Sequence, residues 1–248
     1  MKQHTLKFET TSMSLHLLAM ACMLCDHLWA TLIPGNEWLT CVGRIAFPIF
    51  AFLLTEGYFH THDRKKYAQR LLLWALISEI PFDLVMGGTP FYPVHQNVLW
   101  TFLLSMGLIA INEKAKATGK LPLRVLACLG TVALGLLLGL VVMADYYQAG
   151  IWMVLVFYFF RGRKWWNFLG QFLFMAYINL EILGGYVYEI HLFGSTFDVA
   201  QQGFALLALI PIWLYRGKQG PHNKALQYTY YAFYPVHLLI LGLIMMLR

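Results

Sequence analysis

The sequence predicts an all-α membrane protein: a polytopic bundle of about nine transmembrane helices forming one domain over residues 1–248. Three observations carry this. The 248 residues are 59% hydrophobic and 16% aromatic but only 12% charged, about half the charged share of an ordinary soluble domain. Apolar stretches reach the roughly 20 residues that a helix needs to cross a bilayer. They recur from one end of the chain to the other, leaving no polar tract of soluble-domain length.

Taken in order, apolar stretches bounded by Pro, Gly or charge place helices near 12–33, 42–60, 67–86, 96–112, 124–143, 146–160, 166–182, 197–215 and 228–247. The first reads as a retained helix, because MKQHTLKFETTSMSLHLLAM has no small-residue cleavage site and its apolar run outlasts a signal-peptide core. Pro34, Gly35, Asn36 and Glu37 make a polar hinge into the second. Pro81 weakens the third, and Pro235 is expected to kink the last. Only Ala144 and Asp145 separate the fifth from the sixth, which is short for a full crossing. No internal repeat or low-complexity tract stands out, which disfavours a transporter built from inverted repeats.

The net charge of +6 does not point to nucleic acid, because the basic residues sit in short loops between apolar spans. There they set orientation. Lys2, Lys7, Arg64, Lys65, Lys66, Arg70, Lys114, Lys116, Lys120, Arg124, Arg161, Arg163, Lys164, Arg216, Lys218 and Lys224 fall on one side of a nine-span topology, 16 of the 18 basic residues. Arg44 and Arg248 fall on the other, with Glu37, Asp83, Asp145, Glu181, Glu189 and Asp198. The expected N-terminus is therefore cytoplasmic and the C-terminus outside. Cys22, Cys25 and Cys128 lie inside apolar spans and Cys41 beside one, the pattern of small buried hydrophobes.

Charge is expensive in lipid, so ionisable residues on apolar spans mark a polar site. Residues 15–60 carry four: Asp26 and His27 late in the first span, Arg44 opening the second, and Glu56 near its far end. A rise of about 1.5 Å per residue puts Asp26 and His27 in the outer half of the bilayer, and the hinge returns Arg44 to similar depth. A histidine near its ordinary pKa of about 6.5 can take a proton from an amine or hydroxyl, while a carboxylate fixes its tautomer or an arginine holds an oxyanion. Asp26 and Arg44 read equally as an ion pair stapling two helices.

Glu56 and His60 share a helical face, but no paired H-x-x-x-H or cysteine set accompanies them, so no metal is expected. Glu79 and Asp83 flank Pro81, with Glu79 expected to be buried, either as a site residue or packed against Arg44 or His27, and Asp83 close to the outer surface. Asn97 opens the fourth span. His237 lies midway along the last span and needs a partner, and Tyr234 beside it reads as packing or as part of the site. Arg64, Lys65 and Arg70 form the basic cluster nearest in sequence to the site helices; they either enforce orientation or hold phosphate.

CDHLW, GRIAFPIFAFLLTEGYFHTHDRKKYAQRLLLWALISEIPFDL, QNVLWTFLLSMGL and YYAFYPVHLLIL resemble, in order and over nearly the whole chain, the TraX family, which is linked to acetylation of the pilin of conjugative plasmids. That family is similar in turn to multi-helix membrane acyltransferases that include bacterial O-acetylases of envelope glycans and the lysosomal glucosaminide N-acetyltransferase. The resemblance implies a bacterial cytoplasmic-membrane enzyme that takes an acetyl group from acetyl-CoA to an amine or hydroxyl of a pilin or envelope acceptor. It makes His27 the match to that group's membrane histidine and gives Asp26, Arg44, Glu56, Glu79, Asp83, Asn97 and His237 as further polar positions of the family. On an acyltransferase reading His27 is the base, with Asp26, Arg44 and Glu79 as its catalytic company, and Glu56, Asp83, Asn97, Tyr234 and His237 are substrate-side positions; the basic cluster Arg64, Lys65 and Arg70, on the side from which the donor arrives, is placed to hold its phosphates. The rival readings are a proton-coupled transporter or flippase relaying through Glu56, Glu79 and His237, and a non-enzymatic pilus or envelope assembly factor.

Overall fold

The computed structural model describes residues 9–192 and 194–247; Lys2, Lys7 and Arg248 of the charge count lie outside them. The order is α1 (Ser12–Thr31), α2 (Glu37–Gly43), α3 (Ala46–His60), α4 (Arg64–Gly87), α5 (Val98–Ala117), α6 (Leu121–Val142), α7 (Tyr147–Phe159) and α8 (Trp165–Tyr177), which continues as a π-helical turn (Ile178–Leu183). Strands β1 (Val187–Leu192) and β2 (Ser195–Ala200) follow. A 3₁₀ segment (Gln201–Ala208) then runs into α9 (Leu209–Leu214), and α10 (Lys224–Met246) closes the chain.

Helix starts are written in side chains. Thr11 makes a capping box with Ser14 on α1, Asp63 accepts from Lys66 N at 2.9 Å, Asn97 from Leu99 N at 3.1 Å, and Asn223 from Leu226 N at 2.7 Å. Each satisfies an amide that the first turn leaves unpaired. Among the described residues five segments are long and apolar enough to cross a membrane: Ser12–Thr31, Glu37–His60, Val98–Ala117, Leu121–Val142 and Lys224–Met246. Leu121, Leu126, Leu129, Leu137 and Val141 are exposed on α6, an apolar surface that suits lipid rather than water. On the inner side of α6, a Cβ at Gly139 would lie 2.3 Å from Gln148 N, so this glycine lets α6 close on α7.

The chain differs from the expected all-α bundle at 197–215. Residues 197–200 belong to an antiparallel hairpin with register Val187↔Ala200, Glu189↔Asp198 and Leu192↔Ser195. Gly184 and Gly185, both at positive φ, end the preceding helix. The polar residues Glu189, His191, Thr196 and Asp198 then fall at every second position, a period that suits a strand. The second span also starts earlier than residue 42: Glu37 is helical, and Arg44 sits at the break between α2 and α3.

Contacts gather the basic loops at one end of the bundle. Arg161 reaches Glu56, Arg163 donates to the Tyr215 carbonyl at 2.7 Å, and Ser12 N donates to the Lys218 carbonyl at 2.9 Å. At the opposite end Asp145 N donates to the Gln96 carbonyl at 2.9 Å, and the Tyr188 hydroxyl to Glu37 at 2.8 Å.

Candidate functional site

His27 and His237, 210 positions apart, meet between α1 and α10. His27 Nδ1 lies 2.6 Å from His237 Nε2. The ring centroids are 4.9 Å apart with planes 8° from parallel; that separation equals the contact plus two ring radii, so the imidazoles lie end to end in one plane. His237 Nδ1 is 2.6 Å from the Phe233 carbonyl. A carbonyl only accepts, so His237 Nδ1 carries a proton, its Nε2 accepts from His27 Nδ1, and in the neutral pair His27 Nε2 keeps its lone pair. The arrangement defines the tautomer of a base. Tyr234 lies one turn before His237, its ring centroid 6.4 Å from that of His27.

Beside this pair, Arg44 Nη2 donates to Asp26 Oδ1, which also accepts from the Thr40 hydroxyl at 2.8 Å. Gly43 makes the approach of α1 and α2 possible: a Cβ there would stand 2.4 Å from Asp26 Cβ. Asp26 points at Arg44 and His27 at His237, as the roughly 100° turn between successive helix residues requires. Arg44 and Asp145 both act electrostatically on His27. Tyr146 stacks on Phe47 at 4.3 Å and adopts φ +61°, with Met143 and Tyr147 also at positive φ. Three non-glycine residues in the left-handed region make the α6–α7 connection a strained one.

A second polar cluster joins α4 to α5. Glu79 Oε2 accepts from Asn97 Nδ2 and from Trp100 Nε1, the latter at 2.9 Å, and Asn97 also donates to the Ala75 carbonyl at 2.9 Å. Glu79 thus packs on Asn97 and Trp100 rather than on Arg44 or His27. Asp83, near the end of α4, is buried, and its Oδ2 accepts from Tyr92 N in the following loop at 2.8 Å. Glu79 Oε1 and Asp83 Oδ1 are buried without a hydrogen-bond partner. His95, in the loop between these helices, faces Asp145 at 3.5 Å, and that carboxylate raises the pKa of the imidazole.

A cavity of about 530 Å³ runs from the basic end to Met23 and Tyr234, the neighbours of the histidine pair; His27 and His237 themselves are not among its described lining residues. Its mouth is formed by His60, His62, Gly217 and His222, and its wall runs past Arg70 and Tyr231 to Met23, Leu99 and Tyr234. Met23 stands one turn before His27 on α1. Glu56 lines the mouth, bound by Arg161 at 2.6 and 3.3 Å and 3.3 Å from His60. Arg64 lies over the Tyr58 ring at 4.4 Å, and neither it nor Lys65 is among the lining residues.

Residues 12–245 match the family described as TraX protein. The chain belongs to the TraX family. It is 26% identical over 249 residues to a protein of Dichelobacter nodosus named probable fimbrial assembly protein FimC, serogroup H1, covering 94% of this chain and 95% of that one. It is 29% identical over 97 residues to the Escherichia coli protein named Protein TraX, covering 39% and 38% of the two chains. No solved structure matches it.

In this TraX-family chain the residues expected at one site divide into three groups. His27, His237 and Tyr234 come together, with Asp26 and Arg44 alongside; Glu79, Asp83 and Asn97 form the α4–α5 cluster; Glu56, Arg64, Lys65 and Arg70 lie toward the basic end. Sequence reasoning missed Thr40, His95, Asp145 and Tyr146. The signal for Asp145 was its place as a lone carboxylate between two apolar spans, where it reads as a loop residue only.

Proposed function

We propose that this chain is a membrane acyltransferase that moves an acetyl group from cytoplasmic acetyl-CoA to an amine or hydroxyl of a pilin or envelope acceptor in the bacterial cytoplasmic membrane. The observation that carries it is the end-to-end His27–His237 pair packed behind Tyr234, which lines a cavity that opens among the basic loops. A base with a defined lone pair, one side chain removed from a cavity open on one side, suits transfer from a bulky charged donor.

His27 Nε2 takes the proton from the acceptor as its nitrogen or oxygen attacks the thioester carbonyl. Positive charge spreads over His27 and His237 through their shared hydrogen bond, while Arg44, held by Asp26, stabilises the oxyanion. Collapse breaks the carbon–sulfur bond, and the proton leaves with the coenzyme A thiol. The orientation belongs to the same reading. Nine crossings with the N-terminus inside and the C-terminus outside comprise the five long apolar segments and four others, at 64–87, 147–159, 165–183 and 201–214.

The fimbrial name of the Dichelobacter nodosus relative, with the TraX family's link to pilin acetylation, supports a pilin or fimbrial acceptor; the FimC name equally supports an assembly role without catalysis. Purified protein in lipid, given acetyl-CoA labelled in the acetyl group, separates the two. Transfer of label to pilin or a small amine or alcohol, or hydrolysis of the thioester, is the expected result. An intact thioester after incubation with acceptor would sink the enzymatic reading.

A further inference from the structure

One cation in the cavity wall has no anion beside it among the described residues. Arg70 stands about 9 Å along α4 from its first residue, and its Nε is buried with no hydrogen-bond partner. Aromatic residues flank it: Cζ lies 5.7 Å from the Tyr67 ring centroid, and Tyr231 shares the same stretch of cavity lining. Glu56, the one carboxylate in the described lining, is already engaged by Arg161. Arg70 is half-buried, its Nε finds no acceptor among the described residues, and a planar guanidinium is the side chain best suited to bind phosphate.

Two further groups face the same space. The Tyr230 hydroxyl is buried and has no partner, and the His16 ring stacks on Tyr230 with centroids 4.4 Å apart. Beyond them toward His27 the wall turns apolar, with Phe50, Leu54, Leu99 and Phe102. The cavity therefore has a polar, cationic part nearer its mouth and an oily inner part.

We propose that the cavity contains a phosphate subsite built on Arg70, Tyr230, Tyr231 and His16, which takes a phosphoryl or pyrophosphoryl group carrying a slender, weakly polar arm toward His27. Guanidinium and phenol hydrogens donate to the phosphate oxygens, and the arm fills the apolar part. A soluble phosphorylated cofactor and a phospholipid headgroup share this chemistry. The subsite stands whether or not acetyl transfer is the reaction, since it concerns binding alone.

Equilibrium binding of coenzyme A and of dihexanoyl phosphatidic acid to the full chain in phosphatidylcholine nanodiscs tests it without turnover. Wild type is expected to bind at least one: coenzyme A alone identifies a soluble cofactor, phosphatidic acid alone a lipid. Arg70→Gln should weaken binding about 10- to 100-fold, with partial rescue by Arg70→Lys, whereas Arg124→Gln on exposed α6, outside the cavity lining, should leave it unchanged. Tyr230→Phe removes a single oxygen and should weaken binding several-fold, which keeps the test decisive if Arg70 variants do not fold. Failure of wild type to bind either probe, or equal binding by wild type, Arg70→Gln and Tyr230→Phe, would overturn the subsite; binding with no acetyl transfer would overturn only the enzymatic reading.

Discussion

Replacing Gly43 by Ala probes the helix contact that sets the charged side of the site. The added Cβ would lie 2.4 Å from Asp26 Cβ, 2.7 Å from Cγ and 2.6 Å from Oδ1, about 1 Å inside ordinary van der Waals contact. Asp26 Cβ is fixed to the α1 backbone, so no side-chain rotation relieves the clash; α1 and α2 must separate, or Asp26 must turn away from Arg44 and Thr40. Overpacking of this kind costs about 1–3 kcal/mol, and each kcal/mol shifts Tm by about 2–4 °C in a chain of this size. Thermal unfolding in detergent should show an apparent Tm lower by several degrees, and acetyl transfer should fall with it. Gly107→Ala is the control, because nothing lies within 4 Å of its Cβ position on exposed α5 surface and Ala favours the helix by about 1 kcal/mol. If Gly43→Ala keeps wild-type Tm and transfer, α1 and α2 do not meet as closely as described.

His237→Phe removes the acceptor that holds the His27 Nδ1 proton; transfer should fall about 10-fold or more with little change in KM for the donor, and unchanged kcat would remove His237 from the mechanism. Asn97→Ala deletes the α5 cap and the donor to Glu79, a loss of about 1–3 kcal/mol readable by thermal unfolding; a neutral result would show that water replaces it. His95, outside the long helices, has its pKa raised by Asp145, with Glu79 and Asp83 acting in the same direction. The folded state therefore holds the proton more tightly, so this contribution to stability is full below about pH 6.5 and is lost as pH rises through the raised value. His95→Gln should flatten the Tm-versus-pH curve over that window, and a curve parallel to wild type would mean that the pair contributes nothing.

The helical bundle was legible because lipid imposes a simple rule, long apolar runs broken by Pro, Gly and charge, and the family resemblance rested on stretches such as CDHLW and YYAFYPVHLLIL. Pairing of Asp26 with Arg44 was within reach too, because a short hinge brings them back to one depth. Pairing of His27 with His237 was not: each reads alone as a membrane histidine in need of a partner, and no local spacing joins residues 210 positions apart. The hairpin was hidden by TFDVA, apolar enough to extend the following helix until the alternation of Glu189, His191, Thr196 and Asp198 is seen with the two glycines before it. The distance of Asp83 from the helix end could be read from sequence, but not its burial, which depends on Tyr92 of the next loop donating to it. Arg70 was grouped with Arg64 and Lys65 by sequence, although only Arg70 turns into the cavity.

The central claim is that His27 is the base of an acetyl transfer. Single-turnover transfer from acetyl-CoA by wild type and His27→Gln, compared in the same lipid preparation at equal folded protein, tests it most directly. A base of this kind contributes about 10²- to 10⁴-fold, so the variant should bind donor normally and lose transfer by that factor. Transfer within a few-fold of wild type by folded His27→Gln would contradict the account.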